Sequence, residues 1–74
     1  MKKHSVSIMG HATSFSLESE FWEELKEIAQ LRGVSTSHLI QEIDTNRQEN
    51  LSSAIRVFIL KALKQEIPSD KNTK

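Results

Sequence analysis

The segment ATSFSL, residues 12–17, alternates between two kinds of side chain. Its two sets of alternate positions are Thr13, Phe15 and Leu17 on one side, and Ala12, Ser14 and Ser16 on the other. Because side chains of a β-strand point alternately to opposite faces, this segment predicts a short strand with one apolar face. Apolar residues after this strand recur at the spacing of a helix. The expected fold class is therefore mostly α with one short strand.

A weaker alternation precedes this strand. Val6 and Ile8 share one face, but they occupy even positions, whereas the inward members of the next segment are odd. An uninterrupted strand cannot switch faces, because its side-chain period is two. Gly10 lies at the break and is the expected place for a turn, a bulge or a change of direction.

Helical spacing begins at Glu18 and predicts three helices. Glu18 or Ser19 is expected to cap the first, and Gly33 to end it. Ser35 is the expected N-cap of a second helix, which reaches about Arg47. Asn50 or Ser52 is the expected N-cap of a third helix, which ends at Pro68. The apolar stripes are Phe21, Trp22, Leu25, Ile28 and Ala29; then Leu39, Ile40 and Ile43; then Leu51, Ala54, Ile55, Phe58, Ile59, Ala62 and Leu63.

A lone strand leaves its backbone groups unpaired, and two arrangements solve this problem. Either Val6 to Ile8 folds back on Thr13 to Leu17 through a turn, or the strand pairs antiparallel with its own copy across a two-fold axis. We favour the second, because a chain of 74 residues has a marginal core and a second copy enlarges it.

Composition excludes several classes of function. The chain has no cysteine, ten basic and ten acidic residues, and a formal net charge of zero. His4, His11 and His38 lack metal-ligand spacing, and no set of nucleophile, base and orienting residue is present, so we expect no metal, no cofactor and no enzyme. No apolar run approaches the roughly 20 residues that cross a bilayer, and we expect a soluble cytoplasmic protein.

The strand TSFSL, the helix entry ESEFWEELKEIAQLRG and the restart GVSTSHLIQEI together resemble the ribbon-helix-helix family of DNA-binding proteins. The likeness covers Ala12 to about Arg47. With the segment NLSSAIRVFIL it extends over Val6 to Leu63, as in a short bacterial subgroup with a third helix. The resemblance implies a homodimeric repressor of transcription that inserts a two-stranded β-ribbon into the major groove of double-stranded DNA, without a membrane partner.

The resemblance also implies roles for individual residues. In the family, the outward residues of the strand read bases, and they often include a basic residue or Asn. By that pattern an Arg is expected at position 12, where this chain has Ala12. The implied base-reading residues are Ala12, Ser14 and Ser16; the phosphate-binding residues are Lys2, Lys3, His11, Ser35, Thr36 and Ser37; the dimer core is Phe15, Leu17, Trp22, Leu25, Leu39 and Ile43.

The expected organisation is an N-terminal arm at 1–11, a ribbon-helix-helix domain with a third helix at 12–66, and a flexible tail at 67–74. The third helix suggests a further interface, either between dimers in a tetramer or for a partner protein. One alternative function stays open: an antitoxin-like or adaptor dimer that binds a partner protein and binds DNA weakly or not at all. Ala12, the neutral net charge and the acidic first helix motivate it.

Overall fold

A computed structural model describes residues 1–66, which form a two-stranded antiparallel sheet followed by three helices. In chain order the elements are β1 (Lys2–Ile8), β2 (His11–Leu17), α1 (Ser19–Arg32), α2 (Thr36–Asn46) and α3 (Leu51–Glu66). The mostly helical class is confirmed. None of the described helices is both long and apolar enough to cross a membrane. The expected tail at 67–74 and the helix end at Pro68 lie outside the described residues.

The expectation of a single strand is wrong, because β1 pairs with β2 in a hairpin. Ile8 lies opposite His11 and Lys2 lies opposite Leu17, so the ladder covers both strands along their whole length. Residues 1–11, expected to form an arm, therefore supply β1, the turn and the first residue of β2. The partner of β2 in the structure is a strand of the same chain, which is the arrangement that the sequence analysis ranked second.

The turn of the hairpin consists of Met9 and Gly10, with φ of 53° and 82°. Two successive residues with positive φ are the mark of a type I′ turn, whose twist matches that of the flanking strands. A two-residue turn also explains why the inward positions change from even to odd numbers. It places the even-numbered residues of β1 and the odd-numbered residues of β2 on one face of the sheet. That inner face consists of Lys2, His4, Val6, Ile8, His11, Thr13, Phe15 and Leu17.

The helix boundaries follow the predicted capping residues. Gly33 ends α1 in the left-handed conformation, with φ of 72°, and its amide donates to the Gln30 carbonyl at 3.1 Å. The Ser35 hydroxyl accepts from the His38 amide at 3.0 Å and caps α2. At the start of α3, the Asn50 side-chain oxygen accepts from the Ser53 amide at 2.9 Å. These three caps are confirmed.

The core lies between the inner face of the sheet and the three helices. All five elements contribute to it, so α3 belongs to the core of a single chain. Five of the six residues predicted for a dimer core are buried here and Trp22 is partly buried, while their contact with a second copy stays a prediction. The buried side chains are Ile8, Phe15, Leu17, Leu25, Ile28, Ala29, Leu39, Ile40, Ile43, Leu51, Ala54, Ile55, Ile59 and Ala62.

Candidate nucleic-acid interface

The side of the hairpin that faces away from the helices is exposed and mostly polar. We call it the outer face; it consists of Lys3, Ser5, Ser7, Ala12, Ser14 and Ser16. Across the ladder, Lys3 lies opposite Ser16 and Ser7 lies opposite Ala12. At its centre the hydroxyls of Ser5 and Ser14 lie 3.3 Å apart, within hydrogen-bond distance. The three predicted base-reading residues are therefore brought together on one surface.

The dimensions of the outer face suit the major groove of B-DNA. Two strands lie about 4.8 Å apart, and four residue steps along a strand cover about 13 Å. The major groove is about 12 Å wide and admits a two-stranded ribbon of this kind. Small hydroxyl side chains on both strands leave the ribbon thin enough to enter.

The two edges of the ribbon carry further hydrogen-bonding groups. A two-residue turn makes Ile8 and His11 a hydrogen-bonded pair. In an antiparallel ladder such pairs alternate with pairs whose backbone N–H and C=O groups point sideways, away from the partner strand. The residues of the outer face belong to this second kind of pair. Consistent with this geometry, the Ser52 hydroxyl of α3 donates to the Ser16 carbonyl at 2.7 Å. The outward amides of Ser5, Ser7 and Ser14 can donate to phosphate oxygens.

An aromatic stack fixes β1 to the helical core. The His4 ring lies on the Trp22 ring with centroids 3.9 Å apart and planes inclined by 16°, and the Phe15 ring is 5.6 Å away. The His4 Nε2 atom is buried and has no hydrogen-bond partner among the described residues. Sequence reasoning assigned His4 to an arm and missed this contact. A signal for this position was present in the sequence. His4 is even-numbered like Val6 and Ile8, so it falls on the same face of a strand.

The residues predicted to bind phosphate fall into three places. Lys3 lies on the outer face, whereas Lys2 and His11 are exposed at the two ends of the inner face, opposite Leu17 and Ile8. The third group begins α2: Ser35 is its cap, Thr36 is half-buried and Ser37 is exposed. Since the Ser35 oxygen accepts from the His38 amide, its first task is to cap the helix. All phosphate contacts remain predictions.

Sequence reasoning missed two members of the outer face, Ser5 and Ser7. They lie on β1, and the weak alternation of residues 6–8 gave no reason to extend a strand back to Lys2. The available signal was that both are odd-numbered. Once a two-residue turn is placed at Gly10, odd-numbered residues of β1 fall on the face that points away from the helices. Among residues 1–66, no group of three or more His, Asp or Glu side chains is arranged to hold a metal ion.

An ion pair connects the end of the ribbon to α3. The Arg56 guanidinium donates to both carboxylate oxygens of Glu18, at 2.9 and 3.3 Å. These hydrogen bonds, followed by one to the backbone of Glu18 itself, lower the pKa of the Glu18 carboxyl from its ordinary value of 4.5. A carboxyl with a lowered pKa stabilises the fold above its ordinary pKa, and that stabilisation is lost as the pH falls through the lowered value.

Comparison with known proteins identifies a family for this arrangement. Residues 1–63 match the model of the ribbon-helix-helix domain, a span that includes the hairpin, α1, α2 and most of α3. No curated protein and no solved structure gave a significant match. The matched span contains both the outer face and the Ser35 cap. The chain therefore belongs to the ribbon-helix-helix domain family, whose members generally bind DNA as dimers.

Proposed function

We propose that this protein is a homodimeric DNA-binding regulator of transcription, which inserts its β-ribbon into the major groove. The outer face carries this proposal: six exposed side chains on a two-stranded ribbon present hydroxyls and one ammonium in a shape that fits the groove. Serine hydroxyls donate and accept, so they contact either kind of base edge. An operator bound in this way would exclude or recruit the transcription machinery.

Contacts with the sugar-phosphate backbone hold the ribbon in register. Lys2 and His11 lie at opposite ends of the hairpin and are exposed, which suits contacts with phosphates on both sides of the groove. The first amides of α2, at Thr36 and Ser37, form a second anion-binding place, since unpaired amides and the positive end of the helix dipole attract phosphate. Such contacts position the protein but carry no sequence information.

Two observations support a homodimer. Proteins of this family typically form dimers, and a chain of 74 residues has a small core. Because each copy has its own hairpin, a dimer of this protein presents two ribbons. Two ribbons read two half-sites, so the operator is expected to contain a repeated half-site.

Salt dependence of DNA binding tests the proposal. Neutralised phosphates release counterions, so the logarithm of the binding constant falls with the logarithm of salt concentration by about 0.9 for each phosphate contact. We expect a slope of about four or steeper for the DNA upstream of the protein's own gene, because several basic groups and helix amides take part. Fluorescence anisotropy over a salt series measures this slope. Absence of salt-sensitive binding contradicts the proposal.

One observation favours a second candidate, a protein-interaction module. A groove of about 500 Å³ lies where α2 meets α3 and includes Val57, Phe58 and Ile43 among charged residues. Val57 is 41% exposed, so part of this groove is apolar surface open to a partner. If the groove is the main binding site, Val57→Ser should abolish capture of a partner protein while DNA binding is absent or insensitive to salt. A salt-sensitive DNA complex that Val57→Ser leaves unchanged contradicts this second function.

A further inference from the structure

A stripe along α3 faces away from the core and has exposed apolar side chains at its centre. Val57 is 41% exposed and Leu60 is 54% exposed. They lie three residues apart, so they are neighbours on the surface of the helix. Lys61 and Lys64, which are also exposed, continue the stripe toward the end of α3. We call these four residues the outward stripe.

The dimer core predicted from the sequence does not involve α3. Its six residues belong to β2, α1 and α2, so a dimer formed through them does not require the outward stripe. We propose that the outward stripe is a second self-association surface, which pairs antiparallel with the α3 helix of another copy and joins two dimers into a tetramer. This inference takes the homodimer from the proposed function, but it requires no contact with DNA.

The order of charges on this side of the molecule favours a second copy as the partner. Glu49 lies just before α3 and is exposed, whereas Lys61 and Lys64 lie toward the end of the helix. None of the three belongs to an ion pair in the described part of the chain, and Arg47, near Glu49, is paired with Asp44. When two α3 helices run antiparallel, the basic end of each lies beside the acidic end of the other. The surface is therefore complementary to itself, as a two-fold interface requires.

A two-fold axis at Val57 places the apolar residues at the centre of the contact. Val57 then meets its own copy, and Leu60 extends the apolar contact beside it. Lys64 lies opposite Asn50 of the other copy, next to Glu49, because these positions are equally far from the axis along the helix. Apolar residues at the centre and charges at the rim are the usual anatomy of a protein interface.

The same two charges cannot pair within one chain. An α-helix rises about 1.5 Å per residue, so Lys64 lies roughly 20 Å along the helix from Glu49. Attraction between them therefore requires two copies. The sixteen residues of α3 make a helix about 24 Å long, and two helices of this length bury a small area. The association is accordingly weak and depends on high protein concentration.

Sedimentation analysis over a concentration series, without DNA, tests the tetramer. We expect wild type to pass from dimer to tetramer as its concentration approaches about 1 mM. Leu60→Gln and Val57→Gln should each weaken this second step about tenfold or more, because each change removes apolar contact from every copy in the interface. Both positions are exposed and glutamine is a good helix former, so the fold is kept, and circular dichroism verifies this.

Leu31 supplies a matched control for Leu60. It is 74% exposed, but it lies on α1 and outside the outward stripe. Leu31→Gln makes the same chemical change as Leu60→Gln and should leave the assembly of wild type unaltered. Weakening of the tetramer by Leu31→Gln to the same extent would mean that the loss of any exposed leucine has this effect, and it would overturn the assignment to α3.

Charge reversal tests the antiparallel arrangement of the helices. Lys64→Glu and Glu49→Lys should each weaken the tetramer, because each places like charges beside one another across the interface. The double variant re-forms the pair with its signs exchanged, and its association should return to within about threefold of wild type. Recovery in the double variant supports a contact between copies. Failure to recover overturns the antiparallel pairing.

The remaining outcomes separate this inference from the proposed function. A wild type that stays dimeric throughout the series overturns the tetramer and leaves the proposed function standing. A wild type that is monomeric overturns both the tetramer and the proposed homodimer. Tetramers that persist in Leu60→Gln and Val57→Gln overturn the role of the outward stripe. Variants that fall to monomers would place the dimer contact itself on α3, which overturns a separate contact between dimers.

Discussion

The two faces of the hairpin are made by the same two strands, yet they meet opposite physical demands. On the inner face, Phe15 is 5% exposed and Leu17 is 0% exposed. On the outer face, every residue is exposed, and none has a large apolar side chain. Burial of a large apolar side chain contributes about 1.5 to 3 kcal/mol, whereas exposed serines contribute little to folding.

This difference separates folding stability from the proposed recognition of DNA at the level of single residues. A change at one position affects the core, and a change at the next affects only the surface offered to a ligand. The two properties can therefore vary independently, provided that the hairpin keeps its register. A slip by one residue would exchange the two faces, so the turn and the His4 stack matter to both.

Phe15→Ala should have the largest effect on stability. Removal of a buried phenyl ring costs about 3 to 5 kcal/mol, because apolar contacts are lost and a cavity remains. Urea denaturation measures the change, and size-exclusion chromatography with light scattering reports whether a dimer weakens as well. Phe15→Leu, which keeps an apolar side chain, should lose much less. A Phe15→Ala variant as stable as wild type would contradict the position of this ring in the core.

Gly10→Ala tests the turn that connects the faces. With φ of 82° at Gly10, the site has open space for a methyl group but disfavours an L-residue. The left-handed conformation costs such a residue about 1 to 2 kcal/mol, and stability should fall by that amount in thermal or urea unfolding. Gly10→Asn is the control, because asparagine tolerates this conformation and should cost less. Equal losses in the two variants would argue against the type I′ turn.

Ser14→Ala combined with Ser16→Ala should have the smallest effect on stability, within about 0.5 kcal/mol, because both side chains are exposed. The hydrogen bond from Ser52 survives, since its acceptor is the main-chain carbonyl of Ser16. The DNA sequences selected by this double variant should nevertheless change. Unchanged selection would remove the base-reading role of these serines, and a large loss of stability would contradict the separation of the two faces.

The helices were predictable because local signals determine where they begin and end. Gly33, Ser35 and Asn50 are short-range signals, and each is found in the predicted capping position. The apolar stripes likewise identified the residues of the core. The outward positions of Ala12, Ser14 and Ser16 followed from the strict alternation of residues 12–17.

The hairpin was not predictable in the same way. Its turn is Met9-Gly10 rather than Asn-Gly, and Met9 is one of the rare residues other than glycine with positive φ. Lys2 and His4 occupy inner-face positions of β1, where an apolar residue would have revealed a strand. The stack of His4 on Trp22 makes that position favourable, and it joins residues 18 positions apart, beyond any local pattern.

The two-residue turn also determines how the ribbon responds to dilution. A ribbon assembled from strands of two chains depends on protein concentration, because mass action dissociates it when the chains are scarce. Here the strands are joined by Met9 and Gly10, so their pairing is a unimolecular event within one chain. The outer face of the hairpin should therefore keep its paired strands at concentrations where dimers have separated.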